Sequence, residues 1–248
     1  MKTTKTVGTT KDPSLVIYDD CMTPEQCVTT IQLAQAFQVK AEHTMYYKRH
    51  ITKERNDHQL FLYNHPHQQP FSQRFQQWMQ PHFKKYCNEW DIEGHIQDLI
   101  DPFYKIQRSD TSGGFTAKHF EQSEGRGMSQ RFAVWMSYLN DDFEGGETYF
   151  EDGNICKPET GTCVIFESMK HFHGVNPAHG NEDRYTSPIW YTSQPEQMEL
   201  QSHGNSGCEG TWRGLLGNPD PSKVNVGITS HPIRKWWAKT YNVEKIDS

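Results

Sequence analysis

The segment RFAVWMSYLN, residues 131–140, constrains the fold more than any other part of the chain. Successive residues of a strand point to opposite faces of a sheet, and both faces of this segment are largely apolar. One face carries Phe132, Val134, Met136 and Tyr138, and the other carries Ala133, Trp135, Ser137 and Leu139. A strand that is apolar on both faces is buried on both, so the segment predicts a central strand between two packed layers.

Further strand candidates surround this segment, separated by short turns. They are residues 14–19, 103–108, 115–120, 148–151, 161–168, 172–177 and 184–193, with turns expected at 112–114 and 141–147. Many short strands at this spacing indicate a sandwich or a barrel. Only 34% of the residues are hydrophobic and 12% are aromatic, so we expect aromatic and methionine side chains to fill much of the core.

Two helices are predicted ahead of the strands. Thr23, Pro24 and Gln26 fit an N-cap, a first helical position and a capping box, which predicts a helix over 24–38. Aromatic residues at helical spacing suggest a second helix near 71–86, which Pro81 is expected to kink or split. The predicted fold class is therefore α+β, with N-terminal helices supporting an antiparallel barrel.

Changes in residue composition along the chain suggest three regions. Residues 1–13 are predicted to be a flexible polar leader, residues 14–193 a single domain with its strand core at about 102–193, and residues 194–248 a Gly-rich C-terminal extension. The His-rich 40–70 stretch contains His65 and His67. These two histidines could bind a metal ion together, but a solvated loop is the simpler interpretation.

Composition argues against several classes of function. The net charge of −6 and the pI near 6.1 disfavour a nucleic-acid partner. No apolar run reaches the length of a membrane span, and the N-terminus shows no secretory signal. Six cysteines without a CxxC pair are too sparse for a disulfide scaffold, so we expect reduced cysteines and a cytoplasmic location. The pattern does not set the oligomeric state.

A group of candidate metal ligands lies within the strand-rich region. His119 and Glu121 are two residues apart, so on a strand they would share one face. His171 and His173 follow the predicted strand 161–168, and either could complete a set of three ligands. Two histidines and one carboxylate form the facial triad of non-haem Fe(II) oxygenases, which leaves positions open for a cosubstrate and dioxygen.

Two further residues could bind an organic acid. Arg184 opens a predicted strand shortly after the histidines, and a guanidinium fork matches the two oxygens of a carboxylate. Tyr138 lies within the central strand, where its hydroxyl could reach the same acid or make a core hydrogen bond. Taken singly, each of these candidate residues is more often structural than functional. A functional site is indicated only by the order in which they follow one another along the chain.

That ordered series resembles the prolyl 4-hydroxylase-like branch of the 2-oxoglutarate (2OG) and Fe(II)-dependent dioxygenases. The resemblance covers about residues 14–193 and is strongest from 103 to 192. It is carried by H-x-E at 119–121, Tyr-Leu-Asn at 138–140, E-G-G-E-T-x-F at 144–150, G-x-x-x-x-F at 161–166, H-x-V-x-P at 173–177 and the Arg-Tyr pair at 184–185.

The resemblance implies a double-stranded β-helix, or jelly roll, with helices packed on one side. It implies His119 and His173 as iron ligands, together with Glu121 where the family usually has Asp. It implies Arg184 as the partner of the far carboxylate of 2OG, with Tyr138 as a second contact. His173 is preferred over His171 because only His173 has the H-x-V-x-P context. Pro188, within the last strand, is a second departure and requires an unpaired edge or a bulge.

The implied activity is hydroxylation of an unactivated C–H bond, most simply that of peptidyl proline. The implied cofactors are Fe(II), 2OG as cosubstrate and dioxygen, with ascorbate as a candidate reductant. Alternatives of the same fold hydroxylate lysine, a free amino acid or a small metabolite. A different class of function is a non-catalytic binding module, in which Glu121 has impaired the iron site and no succinate forms from 2OG.

Overall fold

A computed structural model describes residues 12–41, 47–61, 69–90, 99–100, 105–121, 131–168 and 170–193. The C-terminal extension, most of the leader and the pair His65 and His67 lie outside these residues. The helices are α1 (Pro24–Ala41) and α2 (Gln69–Glu89). The strands are β1 (Leu15–Tyr18), β2 (Tyr47–Ile51), β3 (Arg55–Phe61), β4 (Leu99–Ile100), β5 (Lys105–Phe115), β6 (Arg131–Tyr138), β7 (Glu144–Gly145), β8 (Thr148–Phe150), β9 (Ile155–Cys156), β10 (Cys163–Glu167), β11 (His173–Val175), β12 (Ala178–His179) and β13 (Arg184–Ser193).

The strands form one large antiparallel sheet and two small ones. The large sheet has the order β1-β10-β6-β13-β5-β3-β2, with β4 paired to β13. The small sheets have the orders β11-β8-β9 and β12-β7. An antiparallel core with two helices is consistent with the jelly-roll fold expected from the sequence.

Strand β6 is central, as its sequence predicts. It pairs with β10 on one side and with β13 on the other. Its residues Ala133 and Trp135 join an apolar cluster that includes side chains of both helices. Val134, Met136 and Tyr138 join a second cluster on the opposite face of the sheet. The sheet therefore has a helix-covered face and an inner face, and the site described below lies on the inner face.

The helix predictions are confirmed in outline. The capping box forms at α1, because the Thr23 N–H donates to Gln26 Oε1 (2.9 Å) and the Gln26 N–H donates to Thr23 Oγ1 (3.2 Å). Helix α2 runs through Pro81 without being split there, contrary to the alternative of two shorter helices. Neither of the two described helices is both long enough and apolar enough to cross a membrane.

The prediction of two strands at 103–108 and 115–120 is wrong in detail. A single strand, β5, continues through the expected Ser112–Gly114 turn to Phe115. Its pairing with β3 changes register: Asp57 lies opposite Ser109, but its neighbour Asn56 lies opposite Gly114. Residues 110–113 of β5 therefore lie outside this ladder as a bulge. After Phe115 the chain leaves the sheet, and His119 makes only an isolated bridge.

The expectation of reduced cysteines is wrong for one pair. Cys21, just before α1, forms a disulfide with Cys163 of β10, with 6.1 Å between their Cα atoms. Sequence spacing could not reveal this pair, because 142 positions separate the two residues. Cys27, Cys87 and Cys156 are buried and lie outside this disulfide.

Pro188 occupies the kind of position that proline requires. In β13 the backbone register pairs it with Met136 of β6, while the described pairs with β5 cover only Arg184, Tyr185 and Thr186. Within the described pairings, Pro188 therefore has a strand partner on one side only.

Candidate metal centre

The structure brings His119, Glu121 and His173 together, with one ligand atom from each inside a group no more than 4.8 Å across. Glu121 Oε1 lies 3.4 Å from His119 Nε2 and 3.5 Å from His173 Nε2. The side chain of His173 is 1% exposed, that of Glu121 is 8% exposed and that of His119 is 24% exposed. Two imidazole nitrogens and a carboxylate on one side of a cation are the ligand set of non-haem Fe(II) oxygenases.

Backbone carbonyls orient both imidazoles toward the carboxylate. The Nδ1–H of His119 donates to the carbonyl of Ala117 (2.9 Å), and the Nδ1–H of His173 donates to the carbonyl of His171 (3.0 Å). Because Nδ1 carries the proton in each neutral ring, each Nε2 keeps its lone pair and directs it toward Glu121. Such outer hydrogen bonds are typical of metal-binding histidines.

Long-range pairing, not a common strand, brings the two histidines together. The His119 N–H donates to the His173 carbonyl (2.9 Å), and the His173 N–H donates to the His119 carbonyl (3.1 Å). This bridge places the 116–121 segment beside β11. The prediction that one strand would present His119 and Glu121 is therefore wrong in its geometry, although both side chains reach the same point.

A second polar group on the inner face is the guanidinium of Arg184, at the start of β13. Arg184 is 3% exposed, and its Nε and Nη2 atoms have no hydrogen-bond partner among the described residues. These two nitrogens form one edge of the guanidinium, so their N–H bonds point the same way and match two carboxylate oxygens. Burial lowers the pKa of this guanidinium, an effect that Tyr138 opposes.

Tyr138 lies beside the Arg184 guanidinium, and Thr148 and Cys156 both contact Tyr138. Tyr138 is fully buried, its ring centre lies 5.5 Å from the guanidinium carbon, and its hydroxyl is 2.6 Å from Thr148 Oγ1. Cys156 hydrogen-bonds to Tyr138, and burial raises the pKa of its thiol to about 12, so the thiol stays protonated. Burial also raises the pKa of Tyr138, which keeps its hydroxyl neutral.

Gly146 allows the chain to pass close to Arg184. Its φ of +72° lies in the left-handed region, which favours glycine. A Cβ at this position would lie 3.0 Å from Arg184 Cδ and 2.8 Å from Phe143 Cε2. Both the backbone conformation and the space therefore require glycine in the sequence E-G-G-E.

Strand β8 connects the Arg184 pocket to the metal-ligand group. Thr148 and Phe150 are two residues apart and share a face, which separates them by roughly 7 Å along the strand. Thr148 contacts the Tyr138 hydroxyl, and the Phe150 ring centre lies 5.7 Å from that of His173. One short strand thus contacts both the surroundings of Arg184 and the metal-ligand group.

His171, the alternative ligand, does not face Glu121. It is 5% exposed, and its Nε2 lies 2.9 Å from the Ser14 hydroxyl. Burial lowers its pKa to about 4. Of the two histidines that the residue pattern left open, only His173 joins the described ligand group.

Sequence reasoning missed three residues of the Arg184 pocket: Thr148, Cys156 and Gly146. Thr148 and Gly146 lie inside the E-G-G-E-T-x-F motif, so the motif itself was the available signal. Cys156 lies outside the motifs named above, so nothing in the neighbouring sequence indicated that it contacts Tyr138.

Comparison with known proteins shows what the strand core is similar to. Residues 104–192 match the family model described as the 2OG-Fe(II) oxygenase superfamily, and this segment contains His119, Glu121, Tyr138, His173 and Arg184. The matched segment is thus similar to a superfamily of enzymes. The fold also resembles those of solved prolyl hydroxylases. No curated protein matches the chain.

Three solved structures illustrate the likeness. The viral collagen prolyl hydroxylase of Paramecium bursaria Chlorella virus-1, in a 2OG complex, has a TM-score of 0.55 at 16% identity, covering 73% of this chain and 97% of that one. A Pseudomonas putida prolyl-4-hydroxylase has a TM-score of 0.54 at 14% sequence identity, and the match covers 73% of this chain and 93% of that one. The third structure is a Trichoplax adhaerens prolyl hydroxylase in complex with a hypoxia-inducible-factor peptide fragment. Its TM-score is 0.52 at 14% sequence identity, and the match covers 73% of this chain and 84% of that one. At these identities the likeness is one of fold.

Proposed function

We propose that this protein is a Fe(II)- and 2OG-dependent dioxygenase that hydroxylates an unactivated C–H bond, with peptidyl proline as its leading substrate. The observation that carries the proposal is the pairing of two groups on one inner face. One is the group His119, Glu121 and His173, and the other is the buried Arg184, whose Nε and Nη2 find no hydrogen-bond partner in the part of the chain that the structure describes.

The donor atoms fit Fe(II). Two neutral imidazoles present Nε2 lone pairs beside a carboxylate oxygen, and no described residue adds a fourth ligand to this group. A three-ligand set leaves coordination positions for small molecules. When bound, Fe(II) supplies the activation of dioxygen that couples decarboxylation of 2OG to hydroxylation of the substrate.

The residues of this chain perform the remaining tasks. Arg184 binds the far carboxylate of 2OG through its Nε–H and Nη2–H, and the protonated Tyr138 hydroxyl offers a further hydrogen bond. Phe150 and Phe166 flank the His173 ring at 5.7 and 4.8 Å, and they exclude water from that side of the metal-ligand group. Glu121 supplies the negative charge that balances the cation, in place of the usual Asp.

Glu121 does not lead us to favour a non-catalytic module. Its side chain is almost fully buried, and its Oε1 lies at nearly equal distances from the two Nε2 atoms. A buried carboxylate centred between two such nitrogens is suited to sharing a cation with them, and the longer Glu side chain reaches this position from the segment after the bridge.

A peptidyl proline substrate is supported by the structural neighbours rather than by a described residue of this chain. All three are prolyl hydroxylases, and one of them holds a hypoxia-inducible-factor peptide fragment. We extend the proposal to a double-stranded β-helix in which α1 and α2 support the helix-covered face of the large sheet. The cytoplasmic location stays a prediction from the sequence.

The test begins with anaerobic titration of the protein with Fe(II) and 2OG, monitored by the metal-to-2OG charge-transfer absorption. Admission of air should then give succinate, measured with and without proline-containing peptides and free amino acids. Mass spectrometry of the peptides would show the addition of one oxygen atom. His173→Ala should abolish the absorption and the succinate, whereas His179→Ala, an exposed histidine of β12, should preserve both.

An unchanged absorption in His173→Ala would overturn the ligand assignment. Binding of Fe(II) and 2OG without succinate under any substrate would favour the non-catalytic module. Succinate formation with a free amino acid but with no peptide would retain the oxygenase and replace the substrate class.

A further inference from the structure

A hydrogen-bonded group stands behind His173, on the side away from Glu121. The His173 Nδ1–H donates to the carbonyl of His171, and the His171 side chain reaches Ser14 at 2.9 Å. Ser14 in turn contacts Asp12, whose Oδ1 lies 2.7 Å from the Ser14 hydroxyl and 3.0 Å from the Ser14 nitrogen. The chain of contacts therefore runs from the N-terminal segment to a candidate metal ligand.

The direction of each hydrogen bond follows from the donors available. A carboxylate only accepts, so the single Ser14 hydroxyl proton is donated to Asp12. The Ser14 oxygen then accepts the N–H from His171 Nε2, and this bond assigns the His171 tautomer. Lys170 forms an ion pair with Asp12 at 2.5 Å. Burial alone would raise the pKa of Asp12, but the hydrogen bonds from Lys170 and Ser14 lower it, so Asp12 is ionised.

Ser14 is held firmly to the rest of the fold. Its carbonyl accepts hydrogen bonds from the Tyr86 hydroxyl of α2 (3.0 Å) and from the Glu167 N–H of β10 (2.9 Å). Ser14 is fully buried, and so is the hydrogen bond that it makes with His171. A residue whose backbone is held by both a helix and the large sheet is a rigid reference point for the loop that carries His171.

We propose that Ser14 is a positioning residue for His173, acting through His171, so that the N-terminal segment sets the orientation of one metal ligand. The inference rests on the proposed function, because it takes His173 as a metal ligand. Ser14 holds the His171 ring, the ring fixes the backbone of residues 171–173, and the His171 carbonyl then directs the His173 imidazole. Loss of the Ser14 hydroxyl frees the loop and loosens the metal site without removing a ligand.

The test uses Co(II) as a spectroscopic replacement for Fe(II) in the full-length protein. Titration gives the dissociation constant, and the visible d–d bands report the coordination geometry. Ser14→Ala should weaken Co(II) binding by about 10-fold or more, as is usual for the loss of an outer hydrogen bond, and should alter the d–d bands. Ser14→Thr keeps the hydroxyl and should restore both. Ser168→Ala is the matched control, because Ser168 is also buried but its hydroxyl hydrogen-bonds to none of the described residues.

A second variant separates positioning from general stability. His171→Phe keeps a buried ring but removes the N–H to Ser14, and it should weaken Co(II) binding as Ser14→Ala does. The double variant should be no weaker than the poorer single variant, because both changes break the same bond. Additive losses, or wild-type affinity and bands in Ser14→Ala, would overturn the inference while leaving the metal site intact. Absence of Co(II) binding by the wild type would overturn the proposed function as well.

Discussion

Replacement of Arg184 by Met separates the cost of a buried charge from its use in binding. The two side chains have similar length, but Met has no donor. Among the described residues, Arg184 Nε and Nη2 are buried without hydrogen-bond partners, and each such group costs about 1–3 kcal/mol, or more for a charged group. Removal of both at least offsets the loss of one hydrogen bond to Tyr138, worth about 1.5–3 kcal/mol for a charged donor. We therefore expect Arg184→Met to unfold at the same temperature as the wild type or higher.

Binding of 2OG should change in the opposite direction. A hydrogen bond from a charged donor contributes about 1.5–3 kcal/mol, so two of them contribute about 3 kcal/mol or more. Since 1.4 kcal/mol corresponds to tenfold in affinity, Arg184→Met should weaken 2OG binding by at least about 100-fold. For the wild type, 2OG at 100 times its dissociation constant should raise the free energy of unfolding by about 2.7 kcal/mol, a gain that the variant should lack.

The assay is anaerobic calorimetric titration of 2OG into the Mn(II)-loaded protein, followed by thermal unfolding with and without 2OG. Arg108→Met is the matched control, because Arg108 lies one strand away on β5 and points to the opposite face of the sheet. It should leave 2OG affinity unchanged. If Arg184→Met bound 2OG within about twofold of the wild type, the assignment of the orphaned nitrogens to a carboxylate would be refuted.

Three other predictions follow from the same geometry. Glu121→Asp, one methylene shorter, should weaken Fe(II) binding by about 10-fold or more in a metal titration, and equal affinity would show that Glu121 does not contact the metal. Gly146→Ala should lower the denaturation midpoint and weaken 2OG binding, because its Cβ would press on Arg184; unchanged values would contradict that packing. Burial and two neighbouring arginines lower the pKa of His58. Its neutral form stabilises the fold above pH 6.5, and this contribution is lost as the pH falls through 6.5 toward the lower folded-state pKa. His58→Gln should therefore reduce the fall in melting temperature between pH 7 and 5.5, and an unchanged slope would contradict this origin.

The features that the sequence predicted well depend on neighbours along the chain. The two apolar faces of residues 131–138 require a buried central strand in any sheet, and Thr23 and Gln26 form a capping box within four residues. Gly146 and Thr148 lie within a motif whose backbone needs a glycine at a positive φ. Such patterns are readable because the interactions that stabilise them are local.

The features that only the tertiary structure decided depend on residues distant in the chain. Strand β5 ends at Phe115, opposite Arg55 at the start of β3, and His119 reaches His173 through an isolated backbone bridge rather than along a strand. The sequence determined by itself which residue types could bind a metal and a carboxylate. Pairing across the sheets decided that His173 faces Glu121 and that Arg184 is buried beside Tyr138, because pairings between distant segments leave no local pattern in the sequence.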